Sequence, residues 1–199
     1  MKLAQLTTPE LIMLDAVFED RFSAINALTD KLEQTGKLTN KAQFLEAVLK
    51  REEEGPTALG EYLAVPHGKS EAVREPVFAC AFVKDELMWK GLDGDEPVNM
   101  IFLLAIPPAE AGSTHMEVLT TLTSSLVDDD FRDQLLAACT TQEIMALFGE
   151  DDADSEPQVE QSEAESAQQE NVAKDISSIA YPVVLGIGVI ISAFLFLLL

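Results

Sequence analysis

The chain has 199 residues, with 35 acidic side chains against 13 basic ones, for a formal charge of −22. That balance excludes a nucleic-acid binder, which needs Lys and Arg against the phosphate backbone, and it disfavours peripheral docking on anionic lipid. The length suits one ordinary domain plus an appendage, and 47% hydrophobic residues are enough to bury a sizeable core.

Residues 1 to about 149 read as the globular part. Residues 1–20 carry Glu10, Asp15, Glu19 and Asp20 and lack the basic start and apolar run of a signal peptide. Leu11–Phe18 is a short apolar run that predicts a first strand. Residues 20–35 place Ile25, Leu28 and Leu32 on one helical face, with Gly36 as a stop. Thr39 is positioned to cap a second helix carrying Phe44, Leu45, Val48 and Leu49, which ends before Gly55-Pro56. Tyr62–Pro66 predicts a short strand that runs into His67-Gly68. Val77–Val83 and Val98–Ile106 are continuously apolar and predict strands buried on both faces. Leu87–Lys90 reads as an edge strand. Ser113 or Thr114 can cap a helix through Leu126, with Glu117 placed to close a capping box on Thr114. Two short helices follow, about Asp129–Ala138 and Thr141–Phe148. Helices interleaved with buried strands predict an α/β sandwich.

The two cysteines, Cys80 and Cys139, have no partner at CxxC spacing and sit in apolar runs, so both read as small buried core residues. Residues 150–175 contain ten acids, one base and no aromatic residue, which predicts an acidic, disordered, self-repelling linker. Residues 176–199 are apolar, and the last 20 carry no charge. At about 1.5 Å per residue those 20 reach ~30 Å, the thickness of a bilayer core, so the segment reads as a C-terminal transmembrane helix. Lys174 on its N-terminal side is a weak positive-inside cue.

Chemistry is concentrated in few residues. His67 lies where a strand ends at Pro66 and a glycine follows, a place where α/β sheets put ligand sites. A neutral imidazole is nucleophilic near pH 7, and its N–P bond is labile enough to pass a phosphoryl group onward. On spacing alone a lone loop histidine is more often incidental. His115 falls in the first turn of the 113–126 helix, where backbone N–H groups favour an anion. Arg51, 16 residues before His67, reads by itself as a solvated charge at a helix end. Two histidines without nearby cysteines fall short of a zinc pattern, so no metal is expected. No GxGxxG, Walker loop or GxSxG occurs, and no cofactor is expected.

The run from Arg51 to Gly68, with its frame Gly55-Pro56-Thr57, Gly60-Glu61 and Ala64-Val65-Pro66-His67-Gly68, resembles the active-site signature of type 2 enzyme IIA domains of the sugar phosphotransferase system. A second block, from Leu103 through Pro107-Pro108 to Ser113-Thr114-His115-Met116, Leu119 and Leu122, resembles that family's second histidine region. The wording is nearest to IIA modules of fructose and mannosylglycerate permeases, and the resemblance covers residues 1–149. It implies an α/β sandwich around a mixed, mostly parallel sheet. It implies that His67 accepts phosphate from phospho-HPr and passes it to a cysteine of a IIB domain. It further implies that Arg51 compensates the phosphoryl charge and that His115 orients the group. HPr is cytoplasmic in that system, so the IIA domain is expected at the inner face of the membrane, tail-anchored through residues 176–199. Lys174-Asp175-Ile176 looks like the approach to a IIB module, yet Cys80 and Cys139 both lie inside the IIA region. Two alternatives stay open: a regulatory, nitrogen-type IIA binding module, and a truncated remnant of a larger IIABC permease.

Overall fold

In a computed structural model of the chain, residues 2–110 and 113–150 are described, except the side chains of 110, 113–116 and 150. Of the expected linker 150–175, Glu150 ends a helix, while residues 151–175 and the apolar segment 176–199 lie outside the described residues. Among the described residues, no helix is long and apolar enough to cross a membrane.

Strand β1 (Ile12–Ala16) leads into helix α1 (Arg21–Gln34) and helix α2 (Lys41–Glu54). Three short strands follow: β2 (Ala58–Gly60), β3 (Leu63–Ala64) and β4 (His67–Lys69). Two long strands, β5 (Val77–Lys90) and β6 (Asp95–Ile106), form the spine of the sheet. Helices α3 (Ser113–Val127), α4 (Asp129–Ala137) and α5 (Thr141–Glu150) complete the described chain. The strand order is β1-β5-β6-β3-β2, with β4 also paired to β6.

The sheet is mixed, as expected, but it is not mostly parallel along its paired length, because the two long central strands run antiparallel. β1–β5, β3–β6 and β4–β6 are parallel, but the longest ladder, β5–β6, is antiparallel and runs from Val77↔Ala105 to Lys90↔Asp95. The predicted edge strand Leu87–Lys90 is the far end of this hairpin. It is paired to β6, and Trp89 within it is fully buried. A local sequence window could not show that the run continues β5 past the irregularity between Phe82 and Leu87.

Side chains of β5 and β6 alternate between two buried faces, as a pleated strand requires. Ala79, Ala81, Ile101, Leu103 and Ala105 join the cluster that takes in Ile25, Leu28 and Leu32 of α1 and Phe44 and Val48 of α2. Small alanines on this face let the two helices lie close to the sheet. Phe78 and Phe102 face the other way and meet Phe148 of α5, with ring centroids 5.5 and 6.4 Å from it. The Phe78–Phe148 pair is edge-on, the arrangement that aromatic quadrupoles favour.

The helix signals are mostly local. Asp20 caps α1 by accepting from Ser23 N at 2.8 Å, and the Ser23 hydroxyl accepts from Asp20 N in return. Gly36 ends α1 at φ +73°, with Gly36 N bonded to Glu33 O and Lys37 N to Leu32 O. That paired pattern is a Schellman cap, in which a left-handed glycine costs least. Helix α2 is capped by Asn40, one residue later than Thr39, with its side chain accepting from Gln43 N. The Thr39 hydroxyl instead donates to Ala72 O. The expected capping by Ser113 or Thr114 falls on side chains outside the described residues. Cys80 is buried, and burial pushes its thiol pKa up. Cys139 is exposed, against expectation, because α4 has ended and the chain there is turning toward α5.

Candidate phosphoryl site

Helix α2 reaches the site through one face. Phe44, Val48, Arg51 and Glu52 repeat at helical spacing and point toward the sheet. The contact with β4 is close at Gly68, where a Cβ would come within 2.7 Å of Val48 Cγ2 and 3.2 Å of Val48 N. Glycine at 68 therefore lets the helix backbone press onto the strand carrying His67, and one turn further along α2 the Arg51 side chain arrives at the His67 ring.

His67 opens β4 and is bonded into the sheet opposite Leu104 of β6. It is not in a free loop, and only 5% of it is exposed. Its Nδ1 lies 3.0 Å from Val65 O. A carbonyl oxygen only accepts, so Nδ1 carries the proton, and in the neutral ring Nε2 carries the lone pair. Arg51 Nε donates to that Nε2 at 3.0 Å, and Arg51 Nη1 donates to Gly55 O at 3.3 Å. The structure thus brings together two of the three residues singled out in the sequence. Burial lowers the Arg51 pKa, opposed by the negative charges of Glu52 and Glu54. The third, His115, lies in the first turn of α3, as its spacing predicted. Its side chain is outside the described residues.

Sequence reasoning missed a second layer behind the pair. Trp89 Nε1 donates to Thr57 Oγ1 at 2.9 Å, and the Thr57 hydroxyl donates to Glu52 Oε2 at 2.6 Å. Glu52 is 1% exposed, and its other oxygen is 3.9 Å from Arg21 Nε. Neither of those two atoms has a hydrogen-bond partner among the described residues. Burial raises the Glu52 pKa, opposed first by the Thr57 hydrogen bond and then by Arg21. The signal was available: Glu52 shares the inward α2 face, and Trp89 is the single tryptophan of the chain.

Between β2 and β3 the backbone turns through three consecutive left-handed residues: Gly60 at φ +80°, Glu61 at +53° and Tyr62 at +60°. Tyr62 O accepts from Asn99 N and Met100 N, which ties the turn to β6. The Glu61 carboxylate lies 3.3 Å from Arg132 Nη2 of α4. Arg132, itself buried, also donates to Leu126 O and Val127 O at the end of α3.

A shallow cleft of about 320 Å³ runs along α2 and the end of β4, lined by residues that include Gln43, Lys50, Lys69 and Ser70. Neither His67 nor Arg51 is among its lining residues. Among the described residues, no group of three or more His, Cys, Asp or Glu is arranged to hold a metal ion.

Residues 5–151 match the family model for the phosphoenolpyruvate-dependent sugar phosphotransferase system, EIIA 2. The chain is 49% identical over 148 residues to the 2-O-alpha-mannosyl-D-glycerate-specific EIIABC component of Escherichia coli, covering 74% of this chain and 22% of that protein. It is 30% identical to the fructose-specific EIIA component of Haloferax volcanii, covering 74% of this chain and 95% of the relative. Among solved structures it is similar to the nitrogen regulatory protein IIA-Ntr of Neisseria meningitidis, with a TM-score of 0.67 and 26% identity over 73% of this chain and 97% of that one. It spans less than a quarter of the multidomain EIIABC relatives it matches. A histidine held by a carbonyl on one nitrogen and an arginine on the other, in this fold and across this matched length, leads to one family: the chain belongs to the type 2 EIIA family of the sugar phosphotransferase system, and its matched region is a IIA phosphoryl-carrier module, a phosphotransferase component.

Proposed function

We propose that His67 carries the phosphoryl group on Nε2, receiving it from phospho-HPr and handing it to the cysteine of a fructose-type IIB domain. The observation that carries this reading is the ring's fixed orientation, with Nδ1–H on Val65 O and Nε2 facing Arg51. In the first step the Nε2 lone pair attacks phosphorus. The new N–P bond forms as the donor's bond to phosphorus breaks, and that electron pair returns to the donor. In the second step a IIB thiolate attacks the same phosphorus, an S–P bond forms, and the N–P pair returns to Nε2. Nδ1 keeps its proton on Val65 O throughout, so the ring needs no proton transfer.

Phosphoryl transfer is chiefly positioning plus charge stabilisation. Arg51 stands where the group arrives, and its planar fork suits phosphate oxygens. His115, in the first turn of α3, is proposed to orient the group, in keeping with the affinity of helix N-termini for anions. Carrier and donor meet transiently, so no small-molecule pocket is needed. The 49% identity to a mannosylglycerate-specific relative supports a role in sugar uptake. The uncharged segment 180–199 supports tethering at the inner membrane, with the IIA module facing the cytoplasm, where a linker would concentrate the carrier near a permease.

Incubation with radiolabelled phosphoenolpyruvate and purified donor proteins tests the carrier role. Wild type is expected to take up label that alkali does not remove, and His67→Ala to take up none. Normal labelling of the Ala variant overturns the assignment. The likeness to a nitrogen regulatory protein supports a second reading, a phosphorylation-controlled binding module. Label that reaches His67 but passes to no IIB domain favours that reading.

A further inference from the structure

We propose that Thr57 is the positioning residue of the phosphoryl site, setting His67 and Arg51 in one frame from behind. The proposal builds on the carrier role of His67. Thr57 is 2% exposed and bonded in three directions. Its hydroxyl accepts from Trp89 Nε1 and donates to Glu52 Oε2, so the direction of both bonds is fixed. An indole N–H can only donate, and the hydroxyl then has its one proton left for the acid. Its main-chain carbonyl accepts from Val65 N at 2.9 Å.

Two of these bonds lead to the two halves of the site. Val65 is the residue whose own carbonyl holds His67 Nδ1, so Thr57 O holds the N–H side of the same residue whose C=O fixes the ring. Two residues before Thr57, Gly55 O accepts from Arg51 Nη1. Glu52, at the other end of the hydroxyl bond, is the immediate neighbour of Arg51 on α2. The Gly55-Pro56-Thr57 segment is thereby pinned to the sheet by Trp89 and to the helix by Glu52. The distance from Arg51 to His67 is set by that segment as well as by helix–strand packing. Threonine suits the position because its hydroxyl can accept and donate while the methyl fills space. Valine matches the shape and strands both partners, and serine keeps both bonds.

The test compares Thr57→Val and Thr57→Ser for kinetics and for the state of the His67 ring. Thr57→Val is expected to lower the maximal rate of His67 phosphorylation by roughly 10- to 100-fold, as misplacement of reacting groups by about 1 Å does, with KM for the phosphorylated donor little changed. Thr57→Ser is expected to recover to within a few-fold of wild type. Nitrogen-15 NMR of the imidazoles, with no donor present, should show Nδ1 protonated and Nε2 bare in wild type and serine. In valine the two signals should move toward a mixture of tautomers. A folded valine variant with wild-type rate and wild-type ring signals overturns the proposal, as does a serine variant as slow as valine. If valine does not fold, Trp89→Phe removes the indole donor while leaving the Thr57–Glu52 bond in place, and should slow transfer in the same sense in the folded fraction; an unchanged rate there also overturns it. If wild type itself takes no label, the carrier reading fails, while the ring signals still decide whether Thr57 orients His67.

Discussion

Arg51 Nε and His67 Nε2 are 3.0 Å apart, so in the resting protein the arginine occupies the position that phosphorus would take in the proposed transfer. On the proposed carrier role, the cation would leave the nitrogen and engage the oxygens of the incoming group. Arg51→Lys keeps the charge but loses the planar fork and the bond to Gly55 O. Phosphorylation of His67 in this variant is expected to fall about 100-fold, in line with loss of one well-placed charge-stabilising donor. The thermal midpoint should move little, because Arg51 is only half-buried. Initial rates of labelling beside a melting curve check this, and a rate within threefold of wild type contradicts it.

Gly68 supplies a second, geometric prediction. A methyl group there meets Val48 Cγ2 at 2.7 Å and the Val48 backbone nitrogen at 3.2 Å, so side-chain rotation alone does not relieve the clash. Gly68→Ala is expected to cost about 1–3 kcal/mol, the usual range for overpacking a core. The helix can relax only by moving off β4, which also draws Arg51 away from His67. Urea unfolding should show the loss of stability, and labelling should slow beyond what the unfolded fraction explains. A stable variant with an intact rate would mean that α2 and β4 are not held by this contact.

The parts of the fold legible in the sequence were those written in local patterns. Gly36 ended α1 as expected, and the apolar runs of β5 and β6 were buried on both faces. The Arg51–Gly68 frame pointed to the two side chains that the structure brings together. What escaped were relationships decided by distant partners. Nothing near Leu87–Lys90 says that it pairs with Asp95–Val98 or that Trp89 turns inward to Thr57. Strand β2 is three residues long and exists because β3 folds back on it through a left-handed turn. Glutamate and tyrosine at two of those turn positions carry no turn signature. Thr39 and Asn40 are both good caps, and Ala72 on a remote loop decided between them by claiming Thr39.

That left-handed turn is the subject of a third prediction. Non-glycine residues in this region cost of order 1–3 kcal/mol each and persist only where the surroundings hold them. Arg132 is one such restraint, binding Glu61 with one amino group and the carbonyls at the end of α3 with the other. It also pairs with Asp129. Arg132→Met keeps the aliphatic bulk and leaves those carbonyls without their cation. It is expected to destabilise the protein by about 1–3 kcal/mol, the cost of an orphaned buried polar group. Hydrogen exchange should accelerate at residues 60–62 and 126–127 ahead of the β5–β6 ladder. Uniform acceleration across the protein would show that Arg132 has no local role there.

Glu52 gives the pH dependence. Burial holds its carboxyl pKa above the ordinary value of 4.5, against the opposing pull of the Thr57 hydroxyl and Arg21. With the folded-state pKa raised, the native protein binds more protons than the unfolded chain between the two values, so stability falls as pH rises through that window. The contribution of protonated Glu52 is fully present below the unfolded pKa and is lost as pH passes the folded one. Glu52→Gln is neutral at every pH and still offers Thr57 an acceptor. The stability of the variant relative to wild type should therefore improve as pH rises from the ordinary carboxylate range through the raised pKa, then level off. Denaturant midpoints of the two proteins measured from acid to neutral pH give that difference directly. A difference that stays flat across the window, or that runs the other way, would show that Arg21 and Thr57 outweigh burial and that Glu52 is held as a carboxylate.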